Sequence, residues 1–216
     1  GKSTLLSLIA GLNSPARGLI KLNGFDAKKK PAKRIAEAVG LLFQNPDLML
    51  FCETVEKELA FGPGNKRILP EDISLRLNSI LECLHISGHR DDPPFALSMG
   101  QRLRAALGAI LTMQFPILLL DEPTTGQNIE NVARLMNTLK NLSFVKTIIF
   151  CTHDISASMK YADRIIVLNK EGSVAVQGSP AEILADIGLL ERNAIKIPAS
   201  AKLAGLLNSR AVERAG

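Results

Sequence analysis

Three short, nearly continuous apolar runs, Ile117 to Leu120, Thr147 to Cys151 and Arg164 to Leu168, alternate with helical periodicity at 128–142 and 155–161. A strand that is apolar on both sides must be covered on both faces, and alternation with helices is how a parallel sheet achieves that cover. The pattern predicts an α/β fold with a mostly parallel sheet and flanking helices. Val39 to Phe43 reads as another strand, and Leu19 to Leu22, closed by Asn23-Gly24, as a short one. Gly172 and Gly178 bracket an edge strand, and Pro180 opens a helix to about residue 187.

Two further helical regions follow from spacing. Leu5, Leu6, Leu8, Ile9 and Leu12 predict a helix over 2–12, stopped by Gly11, Asn13, Ser14 and Pro15. From 53 to about 115 the apolar positions recur at helical intervals, including Val55 and Leu59, Leu77 to Leu84, and Leu103 to Leu111. A helical subdomain inserted between strands is the economical reading. Leu203, Leu206 and Leu207 suggest a small carboxyl-terminal helix.

With 216 residues, the chain has room for one large domain or two small ones. Its apolar runs stop well short of the roughly 20 residues that span a bilayer, so a soluble chain without a transmembrane helix is expected. Lys and Arg number 26 against 21 Asp and Glu, giving +5, which allows an anionic partner without selecting one. Three scattered cysteines, Cys52, Cys83 and Cys151, have no zinc or disulfide spacing and fit a reducing cytosol. The basic stretch Lys28, Lys29, Lys30, Lys33 and Arg34 reads as a solvated loop, and His85 and His89 as surface residues.

Chemistry enters at a few points. Gly1-Lys2-Ser3-Thr4 before a helix matches the end of G-x-x-x-x-G-K-[ST], a loop whose Lys reaches the β and γ phosphates and whose hydroxyl holds Mg²⁺. The five preceding residues of that pattern lie upstream, so the chain reads as truncated within the loop. Alone, the tetrapeptide reads first as a helix cap. Asp121-Glu122-Pro123 places two carboxylates at the end of a buried strand, where open α/β sheets put their chemistry. An acidic turn is an equal reading of that pair alone. Ser98, in Leu97-Ser98-Met99-Gly100-Gln101, stands where it caps the next helix.

That pentapeptide resembles the Leu-Ser-Gly-Gly-Gln signature of ABC-type ATPases, with Met99 in place of the first Gly. The rest then falls in the family's order: Gln44 resembles the Q-loop glutamine, Asp121 and Glu122 the Walker B aspartate and catalytic glutamate, and His153 the switch histidine. Phe43-Gln44-Asn45-Pro46-Asp47, Ala60-Phe61-Gly62-Pro63 and Pro123-Thr124-Thr125-Gly126-Gln127 resemble the energy-coupling factor transporter group, importers of vitamins and of nickel or cobalt ions. The chain departs at Met99 and at Asn128, where the family's D-loop usually carries Asp.

The resemblance implies a P-loop NTPase core over 1–44 and 116–187, a helical subdomain over 45–115 and an extension over 188–216. It implies ATP and Mg²⁺, with Gly1, Lys2, Ser3, Thr4, Ser98, Gly100 and Gln101 binding nucleotide, Ser3, Gln44 and Asp121 serving the metal, and Glu122, His153 and Gln44 catalytic. Its partners would be a second ATPase subunit, identical or not, and a transmembrane transporter subunit near the Q-loop. No nucleic acid is expected, and the site of action would be the cytoplasmic membrane face. Two alternatives remain open: a non-hydrolytic interaction subunit, and a DNA-repair ATPase with the same head, against which the short stretch between Gln44 and Ser98 speaks. If about three charge-assisted backbone bonds to phosphate are missing, at roughly 1.5–3 kcal/mol each, affinity falls on the order of a thousandfold. This 216-residue chain is therefore expected to bind ATP weakly in calorimetry, and micromolar binding would contradict the expectation.

Overall fold

The computed structural model describes residues 1–27 and 32–185. Along the chain come α1 (Lys2–Ile9), β1 (Lys21–Leu22), β2 (Phe25–Asp26), α2 (Ala32–Ala36), β3 (Val39–Leu42), α3 (Val55–Asn65), α4 (Pro70–Cys83) and α5 (Met99–Leu111). There follow β4 (Ile117–Asp121), α6 (Ile129–Lys140), β5 (Thr147–Cys151), α7 (Ile155–Tyr161), β6 (Ile165–Leu168), β7 (Val174–Gly178) and α8 (Pro180–Ala185). The residues fall into two compact units, 2–151 and the segment from Thr152 onward together with Gly1.

In the larger unit β3, β4 and β5 form a parallel sheet in that order, with Val39 opposite Ile117 and Asp121 opposite Cys151. All five residues of β4 are buried. Leu119 joins Leu6 of α1, Ile35 of α2 and Val39 in one core cluster. The other face is covered by α5, and Gly40 makes the approach possible. A Cβ there would stand 2.5 Å from Ile110 Cγ2 and 2.6 Å from Phe115 Cδ2. Next to the sheet, α3 and α5 are stitched by buried Thr112, whose hydroxyl donates to Leu59 O at 2.8 Å. Gly108 lets Leu59 come close, since a Cβ would lie 3.1 Å from Leu59 Cδ2.

Several boundaries differ from the sequence expectation for identifiable reasons. Helix α1 ends at Ile9, and Gly11 follows with φ 73° against the side chain of Ile35. The strand expected over Leu19 to Leu22 is only Lys21–Leu22, paired antiparallel with Phe25–Asp26. Asn23 and Gly24, with φ 47° and 81°, make the tight hairpin turn that positive-φ residues favour. Arg34 of the basic stretch sits in α2 with its guanidinium 5.4 Å from the Phe25 ring, while Lys28, Lys29 and Lys30 lie outside the described residues.

The smaller unit corrects a larger expectation. The run Arg164 to Leu168 does not extend the parallel sheet; β6 pairs antiparallel with β7, Ile165 opposite Gly178. The connection is too short for a crossover helix, and a turn closes it instead, with Gly172 at φ 85° and Asn169 Oδ1 accepting from Ser173 N at 2.8 Å. Val167 and Ile183 form its core with Met159, Ile165 and Val176. The leucine stripe at 203–207 lies outside the described residues. Among the described residues no helix is long and apolar enough to cross a membrane. Because Gly40 leaves no space for a methyl group, Gly40→Ala is expected to cost about 1–3 kcal/mol in urea unfolding; an unchanged midpoint would show that α5 does not press on β3.

Candidate functional site

The buried strand β4 ends on Asp121, and the chain leaves it through Glu122, which adopts φ 52°. Glu122 N donates to Cys151 O at 2.8 Å, extending the pairing with β5 by one residue. Its N–H thus holds the glutamate at the sheet's carboxyl edge. A folded turn continues through Thr125 N to Glu122 O and Gly126 at φ 72°. Asn128 then caps α6, its side chain accepting from Asn131 N at 2.8 Å.

Helix α1 brings Lys2 to the same edge: its Nζ lies 4.0 Å from Glu122 Oε1, with the Lys side chain half exposed and the Glu side chain buried. The first turn of α1 carries no acidic residue of its own, and the N–H groups and dipole of a helix amino terminus favour an anion. Gly1, Ser3 and Thr4 are exposed at that end. Asp121 is 7% exposed, yet among the described residues its Oδ1 has no hydrogen-bond partner. Buried carboxylate oxygens are normally satisfied, so this atom fits a hard cation or an ordered water. No cluster of three or more His, Cys, Asp or Glu side chains suited to a metal occurs among the described residues. Mg²⁺ takes one or two protein carboxylates plus phosphate and water, so this sparse donor set fits it.

The other expected residues occupy separate places. Gln44 is exposed just beyond β3. Ser98 is the N-cap of α5, in a reciprocal capping box with Gln101: Ser98 Oγ accepts from Gln101 N at 3.4 Å, and Gln101 Oε1 accepts from Ser98 N at 2.9 Å. A Cβ at Gly100 would meet nothing within 4 Å. Met99 Cγ lies 3.8 Å from where a Cβ of Gly126 would stand, so the capped helix and the turn after β4 are neighbours. The side chains of Ser98 and Gln101 bond to each other's main chain, and the Gln101 amide to His89. In the smaller unit, His153 is exposed immediately before Asp154, the N-cap of α7.

Sequence reasoning missed two groups. Glu58 is buried, and its Oε2 accepts from both Phe51 N and Cys52 N at 2.8 Å, shaping a face on which Leu48, Phe51 and Phe61 are exposed. The two phenylalanine rings meet edge to face at 4.8 Å. Arg102 of α5 reaches both oxygens of Asp47 at 3.1 Å, tying that face to the signature helix. The second is His89, which is not a mere surface residue: its Nδ1 lies 2.7 Å from Asp92 Oδ2 and its Nε2 2.6 Å from Gln101 Nε2. No motif spacing flags either group, because both act through backbone or neighbouring side chains.

With this geometry in place, the relatives are informative. The family model described as ABC transporter matches residues 1–125, more than half of the chain. The chain is 37% identical to the energy-coupling factor transporter ATP-binding protein EcfA2 of Caldanaerobacter subterraneus, covering 98% of this chain and 76% of that one. It is 34% identical to EcfA of Methanocaldococcus jannaschii, covering 97% and 76%. The solved structure of cbiO1 from Clostridium perfringens, part of the ABC transporter complex cbiONQ, superposes with a TM-score of 0.77 at 33% identity, covering 94% of this chain and 82% of that one. The chain spans only about a third of the length of the first curated relatives it matches, candidate ABC transporter ATP-binding proteins of Methanosarcina species at 41% and 39% identity.

Burial, and then Asp121, push the Cys151 thiol up to about 11, with Lys2 acting the other way. The thiol therefore stays protonated at neutral pH and becomes a thiolate only as the pH rises toward that value. At pH 8, Cys151 is expected to alkylate on the order of a hundredfold more slowly than an unstructured cysteine, read by mass spectrometry. Equal rates would show that half-buried Cys151 is not desolvated beside the carboxylates.

Proposed function

The chain belongs to the ABC transporter family of ATP-binding proteins, and from that premise we propose that it binds and hydrolyses ATP to power import by an energy-coupling factor type transporter. The observation that carries this reading is the junction of the cationic start of α1 with the buried acidic end of β4, Lys2 Nζ 4.0 Å from Glu122 and Asp121 Oδ1 without a partner. A cation beside two carboxylates at the carboxyl edge of a parallel sheet is suited to a triphosphate and its metal.

In this reading Lys2, with Gly1, Ser3, Thr4 and the N–H groups of α1, neutralises the β and γ oxygens. Ser3, Asp121 and Gln44 would hold Mg²⁺, which supplies positive charge to the phosphates when bound. Glu122 orients and polarises the attacking water, and its left-handed backbone aims it off the end of β4. His153 contacts the γ phosphate. Ser98, Gly100 and Gln101 reach the ATP of a second subunit, identical or not, so each site is completed across a dimer.

The core would comprise 1–44 and 116–187, the helical subdomain 45–115, and the extension 188–216. A transmembrane subunit would meet the exposed Leu48, Phe51 and Phe61 near the Q-loop, on the cytoplasmic face of the membrane. The names of the relatives EcfA2, EcfA and cbiO1 support import of this type. In the complete protein, Glu122→Gln is expected to keep ATP-driven dimerisation while turnover falls by about two to four orders of magnitude. Unchanged turnover would contradict the role given to Glu122.

A further inference from the structure

The contacts behind Ser98 form a directional chain. Asp92 is a carboxylate and can only accept, so His89 Nδ1 carries the proton across the 2.7 Å contact. A neutral ring then presents Nε2 as an acceptor. Gln101 Nε2, at 2.6 Å, is its donor, which fixes the amide so that Oε1 faces the Ser98 N–H at 2.9 Å. The orientation of the capping glutamine is thus set by the ring behind it.

The loop that holds His89 is itself anchored. Arg90 Nε and Nη2 reach Glu56 Oε1 of α3 at 3.0 and 2.6 Å, and Arg90 Nη1 reaches Asn78 of α4 at 2.9 Å. Backbone N–H groups of Val55 and Glu56 donate to Asp92 O and Arg90 O. Of the elements packed on this loop, α3 contributes Glu56, which is taken up by Arg90, while α4 and α5 contribute neutral Asn78 and Gln101. Asp92 is the carboxylate in contact with the ring.

We propose that His89 is a positioning residue for Ser98: as the Nδ1–H tautomer it orients Gln101 and so holds the amino terminus of α5 in the geometry that meets ATP. This rests on the reading of Ser98 as an ATP contact. The opposite tautomer, with the proton on Nε2, would set a donor against the donor Gln101 Nε2. Flipping the amide relieves that clash only by turning its NH₂ against the Ser98 N–H. Either way the reciprocal cap is lost, so the arrangement belongs to the Nδ1–H tautomer.

The test uses the complete protein. Long-range nitrogen NMR of the neutral His89 ring is expected to show the proton on Nδ1; a proton on Nε2 overturns the proposal. Protection of the Ser98 amide, corrected for intrinsic exchange, is expected to fall about fivefold in His89→Ala, the effect of losing a cap. His89→Gln, which can donate to Asp92 and accept from Gln101, is expected to keep the protection of the unaltered protein. Equal protection in the two variants overturns the proposal. ATP turnover is expected to follow protection across the variants, and turnover unaffected by loss of the cap would refute the positioning role. An unaltered protein with the expected tautomer and protection but no turnover would instead tell against the ATPase reading.

Discussion

The burial of β4 between β3 and β5 is the constraint on which the rest depends. Four consecutive buried apolar residues, Ile117 to Leu120, leave polar side chains no place until the strand ends, so Asp121 and Glu122 follow together at its carboxyl edge. The sheet is parallel, and its helices therefore deliver their amino termini to that same edge. The approach of Lys2 to Glu122 follows from this topology. Among the described residues, one oxygen of Asp121 has no hydrogen-bond partner at 7% exposure, and a buried polar atom left unpaired is costly.

The helical region between β3 and β4 has a different physical character. Leu59, Leu81, Leu84, Leu103 and Leu107 are fully buried in it, and side chains that bond to backbone add direction to that packing: Thr112 joins α3 to α5, Glu58 gathers two N–H groups, and Gln101 and Ser98 cap each other. Side-chain pairs tie the segment before α3 to α5 through Asp47 with Arg102, and α3 itself to the loop carrying Arg90 through Glu56.

Much of this was legible in the sequence because periodicity reports burial. The runs at 39, 117 and 147 became the three parallel strands, and the spacing over 129–140 gave α6 with its buried Val132, Leu135, Met136 and Leu139. The run at 164–168 misled, because an apolar strand of that length has the same pattern in a hairpin as in a parallel sheet; only the short connection to Val174 distinguishes them. Asn23-Gly24 announced a turn, while a two-residue partner strand is too short to have a period. Among candidate residues, Lys2, Asp121 and Glu122 carried recognisable spacing and meet in one place. His89 and Glu58 carried none, since their partners lie on other elements.

The single carboxylate of Glu58 has a further consequence for how such a surface can diverge. By gripping the main chain at Phe51 and Cys52, it fixes the contour of the neighbouring apolar face without using the side chains displayed there. Shape and chemical identity are thereby uncoupled: the side chain displayed at Phe51 can be exchanged without loss of the main-chain bonds that hold the segment.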